Sequence, residues 1–319
     1  MLTRFIRYCL TILSFFFKNN LDKIKARHTI VSKNLKKKME ITKIEFSARL
    51  KTHKFFNNVV NNILIENKTI NFLKNTHIQN IFFIHNRFFI RNELAELKMD
   101  KNNWALWKRL LIENNVGDPI KYFLYPKSSG NRIRQVYHLK KFLEYSNINL
   151  FNIKYVLEIG GGYGCMAQIF KMINKNCTYL IFDTIEVNFL QYYYLQMNKV
   201  PVVINQIKPG KVCLINKISL LDQFNKIYSN YNSSLLIANW SISEMPIKLR
   251  NNILSKTKNF RYSMIGFQEK FENINNLHYF LNYKKKIETR LLIKIEKLLH
   301  YKKSMFNQNN HYYFFTKLK

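Results

Sequence analysis

Glu158, followed by glycines at 160, 161, 162 and 164, is the part of this chain best equipped for chemistry. Only eight glycines occur in 319 residues, and half of them fall within VLEIGGGYG, Val156 to Gly164. Glycine costs conformational entropy and is kept where a backbone turns tightly or lets something come close. Two further acids stand where a ligand could meet them. Asp183 ends the run TYLIFD and is one of only five aspartates, and Glu244 lies in NWSISEMP. A carboxylate beside a glycine turn suits a cationic ligand, whereas a turn built for pyrophosphate aims a helix N-terminus at it. The spacing also excludes two phosphate-binding arrangements. G-x-G-x-x-G from Gly160 would need glycine where Cys165 stands, and no Gly-Lys-Ser/Thr follows for a P-loop.

The hydrophobic pattern supplies the scaffold. From Lys154 short apolar runs alternate with helical ones: KYVLEIG, CMAQIFKMINK, TYLIFD, NFLQYYYLQM, KVCLIN, SLLIANW, PIKLRNNILSK and RYSMIGF. Such alternation predicts an α/β domain over residues 151–319, a parallel sheet with helices on both faces. RLLIKIEKLL and HYYFFTKLK are expected to pair as a hairpin at the sheet edge. Asp183 then lies one βαβ unit beyond the glycine turn, where it could also cap the next helix. Residues 39–150 read as a helical domain broken by a loop at VGDPIKYFLYPKSSGNR. Three successive tyrosines, Tyr192 to Tyr194, point in different directions on a helix, which favours core packing over a sugar platform.

Residues 1–38 form a separate basic and apolar segment. Its apolar run, Tyr8 to Phe17, is shorter than the roughly 20 residues of a membrane span. No small-residue cleavage site follows, so a secretory signal is not expected. An in-plane anchor backed by Lys33 and Lys36 to Lys38 competes with a helix packed on its own domain. The expected location is cytoplasmic, peripheral at the inner membrane face if the segment anchors. The net charge of +33 draws polyanions, but excess Lys, Asn, Ile, Phe and Tyr also follows from A/T-biased coding. Four scattered cysteines and eight scattered histidines form no disulfide framework and no metal-ligand spacing.

E-x-G-x-G-x-G after a hydrophobic strand resembles motif I of the Rossmann-like S-adenosylmethionine-dependent methyltransferases. That resemblance implies a mostly parallel seven-stranded sheet with an antiparallel C-terminal hairpin strand, preceded here by the helical region. It implies S-adenosylmethionine as cofactor, held by Glu158, Gly160, Gly161, Gly162, Tyr163 and Gly164. It sets Asp183 on the ribose hydroxyls, with Glu186 the weaker candidate. NWSISEM stands where amino methyltransferases carry Asn/Asp-Pro-Pro-aromatic, and no cysteine adjoins a proline, so methylation of nucleic-acid bases is disfavoured.

Three segments together, LEIGGGYG, FDTIEVNFLQYYYL and IANWSISEMP, resemble the sugar O-methyltransferases of bacterial surface-polysaccharide gene clusters. Thr184 and Ile185 replace that family's Leu-Pro, and the likeness runs from about Val116 to Phe271. It implies methyl transfer to a sugar hydroxyl on a nucleotide- or lipid-linked glycan. Glu244 would be the general base, because an alcohol is a poor nucleophile at neutral pH; a divalent metal would serve the same need. Asn239 falls to the cofactor, and Trp240 and Ser241 to the acceptor. Arg132, with Arg134, would grip an acceptor phosphate, or both form a solvated helix face. His138 and His278 are alternatives to Glu244 as base, or surface or packing histidines, and His138 also falls to the acceptor. The rivals are an RNA methyltransferase carried by the basic surface and a non-catalytic module that keeps the fold.

Overall fold

In a computed structural model of the chain, residues 22–43, 54–65, 68–81, 88–228, 231–298 and 310–319 are described. The apolar run from Tyr8 to Phe17 lies outside them. Contacts gather the chain into two compact units. One is built from residues up to 140 with 162–172 and 184–202, the other from 141–161, 173–183 and 203–319. Among the described residues, no helix is long and apolar enough to cross a membrane.

The first unit is helical. It holds α1 (Asp22–Lys43), α2 (Lys54–Ile65), α3 (Thr76–Ile81), α4 (Phe88–Met99), α5 (Trp104–Leu110) and the start of α6 (Gly130–Ser146). It also holds most of α7 (Cys165–Ile173), and all of α8 (Ile185–Met197). Every residue of α8 except Gln196 is buried, the polar Glu186, Asn188 and Gln191 included. The three tyrosines are core, as their helical spacing predicts. Phe72 meets Tyr193 and Tyr194 edge-on, with centroids 6.3 and 6.4 Å apart. Gly117 of VGDP has φ +78°, and a Cβ there would stand 2.3 Å from the Phe72 ring. The stretch expected to be a loop contains a short hairpin, Lys121–Tyr122 against Tyr125–Ser129. Its strands are too short for a period to show in sequence.

The second unit carries the sheet. Its strands are β1 (Tyr155–Ile159), β2 (Thr178–Phe182), β3 (Val202–Ile204), β4 (Val212–Ile215), β5 (Ser234–Asn239), β6 (Tyr262–Gln268), β7 (Leu291–Lys297) and β8 (His311–Leu318). They lie in the order 7-8-6-5-1-2-4-3. β1 runs parallel to both β2 and β5, β2 to β4, and β5 to β6. β8 is antiparallel to β6 and to the edge strand β7, which is the expected hairpin. Among the described residues this sheet has eight strands where seven were expected, because the three-residue β3 adds an edge. The inner parallel strands are buried almost throughout, which is why they read as unbroken apolar runs. α9 (Ile218–Tyr228), the one-turn α10 (Ser241–Glu244), α11 (Ile247–Lys256), α12 (Asn276–Ile287) and a short hairpin, Lys270–Phe271 against Ile274–Asn275, also belong to this unit.

The chain moves from β1 to β2 on one side and later returns to β5 on the other. Ligands of open α/β sheets bind outside the carboxyl ends of the strands at such a reversal. Three of the sequence-selected segments end there: Ile159-Gly160, Phe182-Asp183 and Asn239-Trp240.

Candidate active site at the sheet reversal

The glycine turn is kept open by contacts no side chain would allow. Gly160 has φ +71°, and a Cβ on it would lie 2.4 Å from Ser241 Cβ. At Gly161 a Cβ would lie 2.7 Å from Ile181 Cγ2 and 3.0 Å from a Glu158 carboxylate oxygen. The turn is tied on both sides. Gly160 N–H donates to Phe182 O at 3.0 Å, and Gly161 N–H to Asp183 Oδ2 at 3.1 Å. Ser241, expected at the acceptor, donates its hydroxyl to Ile159 O and so braces the turn from β5.

Glu158 is the polar interruption in β1, only 5% exposed. Its carboxylate accepts from the Tyr179 hydroxyl at 2.8 Å, and no cation faces it among the described residues. Burial pushes its pKa up to about 8; the Tyr179 hydrogen bond opposes the shift and nearby Asp183 adds to it. Two carboxylates, one of them desolvated, therefore stand beside a bare glycine backbone.

At the end of β5, Asn239 holds both side-chain amide atoms away from solvent with no hydrogen-bond partner among the described residues. Buried amides are rarely left so, and one at a sheet reversal is a ready ligand contact. Its neighbour in register is Gly266 of β6, where a Cβ would lie 3.3 Å from Asn239 Oδ1. Trp240 then takes φ +67°, an outlying conformation for an aromatic residue. Its amide donates to Gly266 O at 2.7 Å and its indole N–H to His311 Nδ1 at 2.7 Å. Strain of this kind gathers at functional sites.

Glu244 is exposed at the end of α10, with Gln268 Nε2 donating to it at 3.2 Å. Buried Arg250 holds the turn beneath it, donating to the carbonyls of Ser243 at 2.8 Å and Met245 at 3.1 Å. The same guanidinium donates to Asn276 Oδ1 at 2.9 Å and lies 4.6 Å from the Tyr279 ring centroid.

The other sequence-selected residues, His278 apart, belong to the first unit. Gln191 of α8 donates to Gly162 O at 3.0 Å, and buried Tyr163 accepts from Asn131 Nδ2 at 2.8 Å. Gly164 has φ +95° against Tyr194 and Leu195. Arg132 and Arg134 are 1% exposed, so neither forms a solvated face or an open grip. Arg132 donates to Leu110 O at 2.7 Å and to Gln168, and Arg134 pairs with Glu93. His138 is fully buried, and burial with the Arg134 charge holds it well below the ordinary imidazole pKa. These three are interior residues of their own unit. His278 lies exposed on α12, with Asn282 Nδ2 2.9 Å from its Nε2.

No protein-family model and no curated protein matches the chain. Solved structures are similar to it in part. A chain of a fibrillarin/Nop5p complex shares 12% identity at a TM-score of 0.37, covering 57% of this chain and 80% of that one. Precorrin-6y C5,15-methyltransferase from Geobacter metallireducens shares 8% at 0.38, covering 60% and 89%. The ribosomal protein L11 methylase of Lactobacillus delbrueckii shares 12% at 0.35, covering 57% and 78%. The sheet itself is a mostly parallel α/β arrangement with an antiparallel end.

The residues that sequence reasoning passed over are Tyr179, Gly266, Gln268, Arg250 and His311. Gly266 left a signal: it interrupts the apolar run RYSMIGF, and an isolated strand glycine marks a close approach. The other four act through hydrogen bonds across strands or helices, and nothing in local spacing announces them.

Proposed function

We propose that this chain is an S-adenosylmethionine-dependent methyltransferase, and that its acceptor is a sugar hydroxyl in surface-glycan biosynthesis. The observation that carries the first part is the buried Glu158 carboxyl at the glycine turn, with Asp183 close by. Glu158 has no facing cation among the described residues, and Asp183 stands against Gly161 N–H. A ligand bearing positive charge would supply what the fold leaves out. The site fits this cofactor on three counts: acids for its cationic end, a glycine surface free of Cβ atoms, and the unpartnered Asn239 amide. When bound, S-adenosylmethionine supplies a methyl group made electrophilic by its sulfonium.

The chain's own residues then divide the work. Gly160 and Gly161 give backbone contact, and Asp183 serves the ribose hydroxyls. Asn239 meets the cofactor from β5. Trp240 and Glu244 face the acceptor, Glu244 taking the hydroxyl proton as the acceptor oxygen becomes nucleophilic. Most of the acceleration would come from holding the two reactants in line. The sugar assignment rests on the resemblance of the three quoted segments.

Calorimetric titration with S-adenosylmethionine and S-adenosylhomocysteine tests the cofactor. Micromolar-range binding by the wild type is expected to collapse in Asp183→Ala. No binding by folded wild type would remove the methyltransferase assignment. For the acceptor, methyl label is expected in the polysaccharide fraction of a cell extract. Label in RNA would transfer the enzyme to the rival class.

A further inference from the structure

Glu244 is the end of a chain of hydrogen bonds whose proton count is informative. Gln268, the last residue of β6, donates Nε2–H to Glu244 Oε1 at 3.2 Å. Its Oε1 lies 2.8 Å from Ser243 Oγ. Ser243 Oγ also lies 2.6 Å from Trp240 O. Both Ser243 and Gln268 are buried, at 0% and 7% exposure. A serine hydroxyl has one proton, so it cannot donate fully to Gln268 Oε1 and Trp240 O at once.

Two complete arrangements follow. With Glu244 ionised, Ser243 O–H donates to Gln268 Oε1, and Gln268 Nε2–H donates to the carboxylate. With Glu244 protonated, the Gln268 amide turns over. Glu244 O–H then donates to Gln268 Oε1, Gln268 Nε2–H donates to Ser243 Oγ, and Ser243 O–H donates to Trp240 O. In either state the Ser243 hydroxyl, one Gln268 N–H and any Glu244 proton each find an acceptor, and the same three side chains serve both.

We infer that Gln268, with Ser243, is a positioning pair that switches as Glu244 gains a proton and so supports it as the proton acceptor of the reaction. That role rests on the methyltransferase proposal. The proton balance is simple: the acceptor O–H bond breaks, a Glu244 O–H bond forms, and the remaining changes are rotations. Protonation is thereby sensed at Trp240 O, within the strained corner beside Asn239. Among the described residues, charged and titratable groups lie near Glu244 on three elements. Arg250 of α11 holds the carbonyls on either side of it, Glu269 follows Gln268 and accepts from Asn310 Nδ2 at 2.7 Å, and His311 of β8 pairs with Gln268 in register.

The test needs neither cofactor nor acceptor, so its failure is distinct from failure of cofactor binding. Full-length protein labelled with 15N at glutamine is titrated from acid to alkaline pH, and the Gln268 side-chain amide is assigned by its loss in Gln268→Leu. Its resonances are expected to move in one step that vanishes in Glu244→Gln. In Ser243→Ala the step should persist at lower pH, because the protonated arrangement loses two hydrogen bonds and the ionised one loses one. The expected displacement is about half a unit to one unit. A Gln268 signal that ignores pH, a step that survives in Glu244→Gln, or an unmoved or raised midpoint in Ser243→Ala would overturn the switch.

Discussion

Each unit of this molecule buries glutamates, and they are treated in opposite ways. In the helical unit Glu93 pairs with Arg134, and Glu113 has Lys121 3.6 Å away and accepts from Ser129 N–H at 2.6 Å. In the sheet unit Glu158 is buried as deeply and receives one phenol, with a second acid nearby. A buried charge without a partner costs several kcal/mol, and a fold normally neutralises it. For Glu93 and Glu113 the helical unit has done so internally, while its buried Glu186 sits in the first turn of α8, where a helix N-terminus favours negative charge. The sheet unit keeps a buried acid that no cation faces among the described residues, beside the glycine turn proposed to hold the cofactor. The contrast is between acids neutralised within the structure and one proposed to meet a ligand, and each can be attacked separately.

The largest effect is expected in the helical unit. Glu93→Ala leaves the Arg134 guanidinium buried without its carboxylate, and breaking such a pair costs about 3–5 kcal/mol. Denaturant unfolding should show that loss. If Glu93→Ala cost no more than a typical surface change, the contrast between the units would fail.

Next comes the cleared backbone. Gly160→Ala brings a left-handed residue, worth about 1–2 kcal/mol of strain, and a Cβ set 2.4 Å from Ser241 Cβ. Cofactor affinity should fall by at least about tenfold, since the turn must shift to accept the methyl group. Adding Ser241→Gly removes the collision and keeps the conformational strain. A double-mutant cycle should therefore show coupling between the two sites. Strict additivity would mean that Ser241 is not what the glycine makes room for.

How much of this was legible beforehand follows from the range of the interactions. Strands β1, β2, β4, β5 and β6 and the glycine turn could be read because burial on both faces writes itself as local apolar runs, and backbone approach writes itself as glycine. The three-residue β3 and the hairpin before α6 were missed because they are too short to carry a period. Arg132 and His138 looked like surface candidates on a helix whose sequence is polar. The burial of Arg132 is met by partners as distant as Gln168 and Leu110. Gln268 and Arg250 were invisible for the same reason. They reach Glu244 and its turn across the fold, and a single sequence records no such pairing.

The smallest and most discriminating effect concerns Glu158→Gln. Glutamine keeps an acceptor for the Tyr179 hydroxyl and removes the charge, so the cofactor-free protein should not be weakened. The sign follows from linkage. The folded value near 8 stands above the ordinary 4.5, so the folded protein holds a proton that the unfolded chain gives up across that interval. This contribution to stability is fully present below the unfolded value and is lost as pH rises through 8. Wild type should therefore lose ground against Glu158→Gln between those values, with no further change above them. Cofactor affinity should run the other way, because a cation prefers the ionised carboxylate. The ratio of wild-type to Glu158→Gln affinity is expected to climb by up to about tenfold per pH unit toward 8 and then flatten; the ligand's own amine, which titrates nearby, cancels in the ratio. A constant ratio in calorimetry would mean that Glu158 never meets the ligand's charge. The acid under the glycine turn would then be structural, like those of the helical unit, and Asp183 would carry the recognition alone.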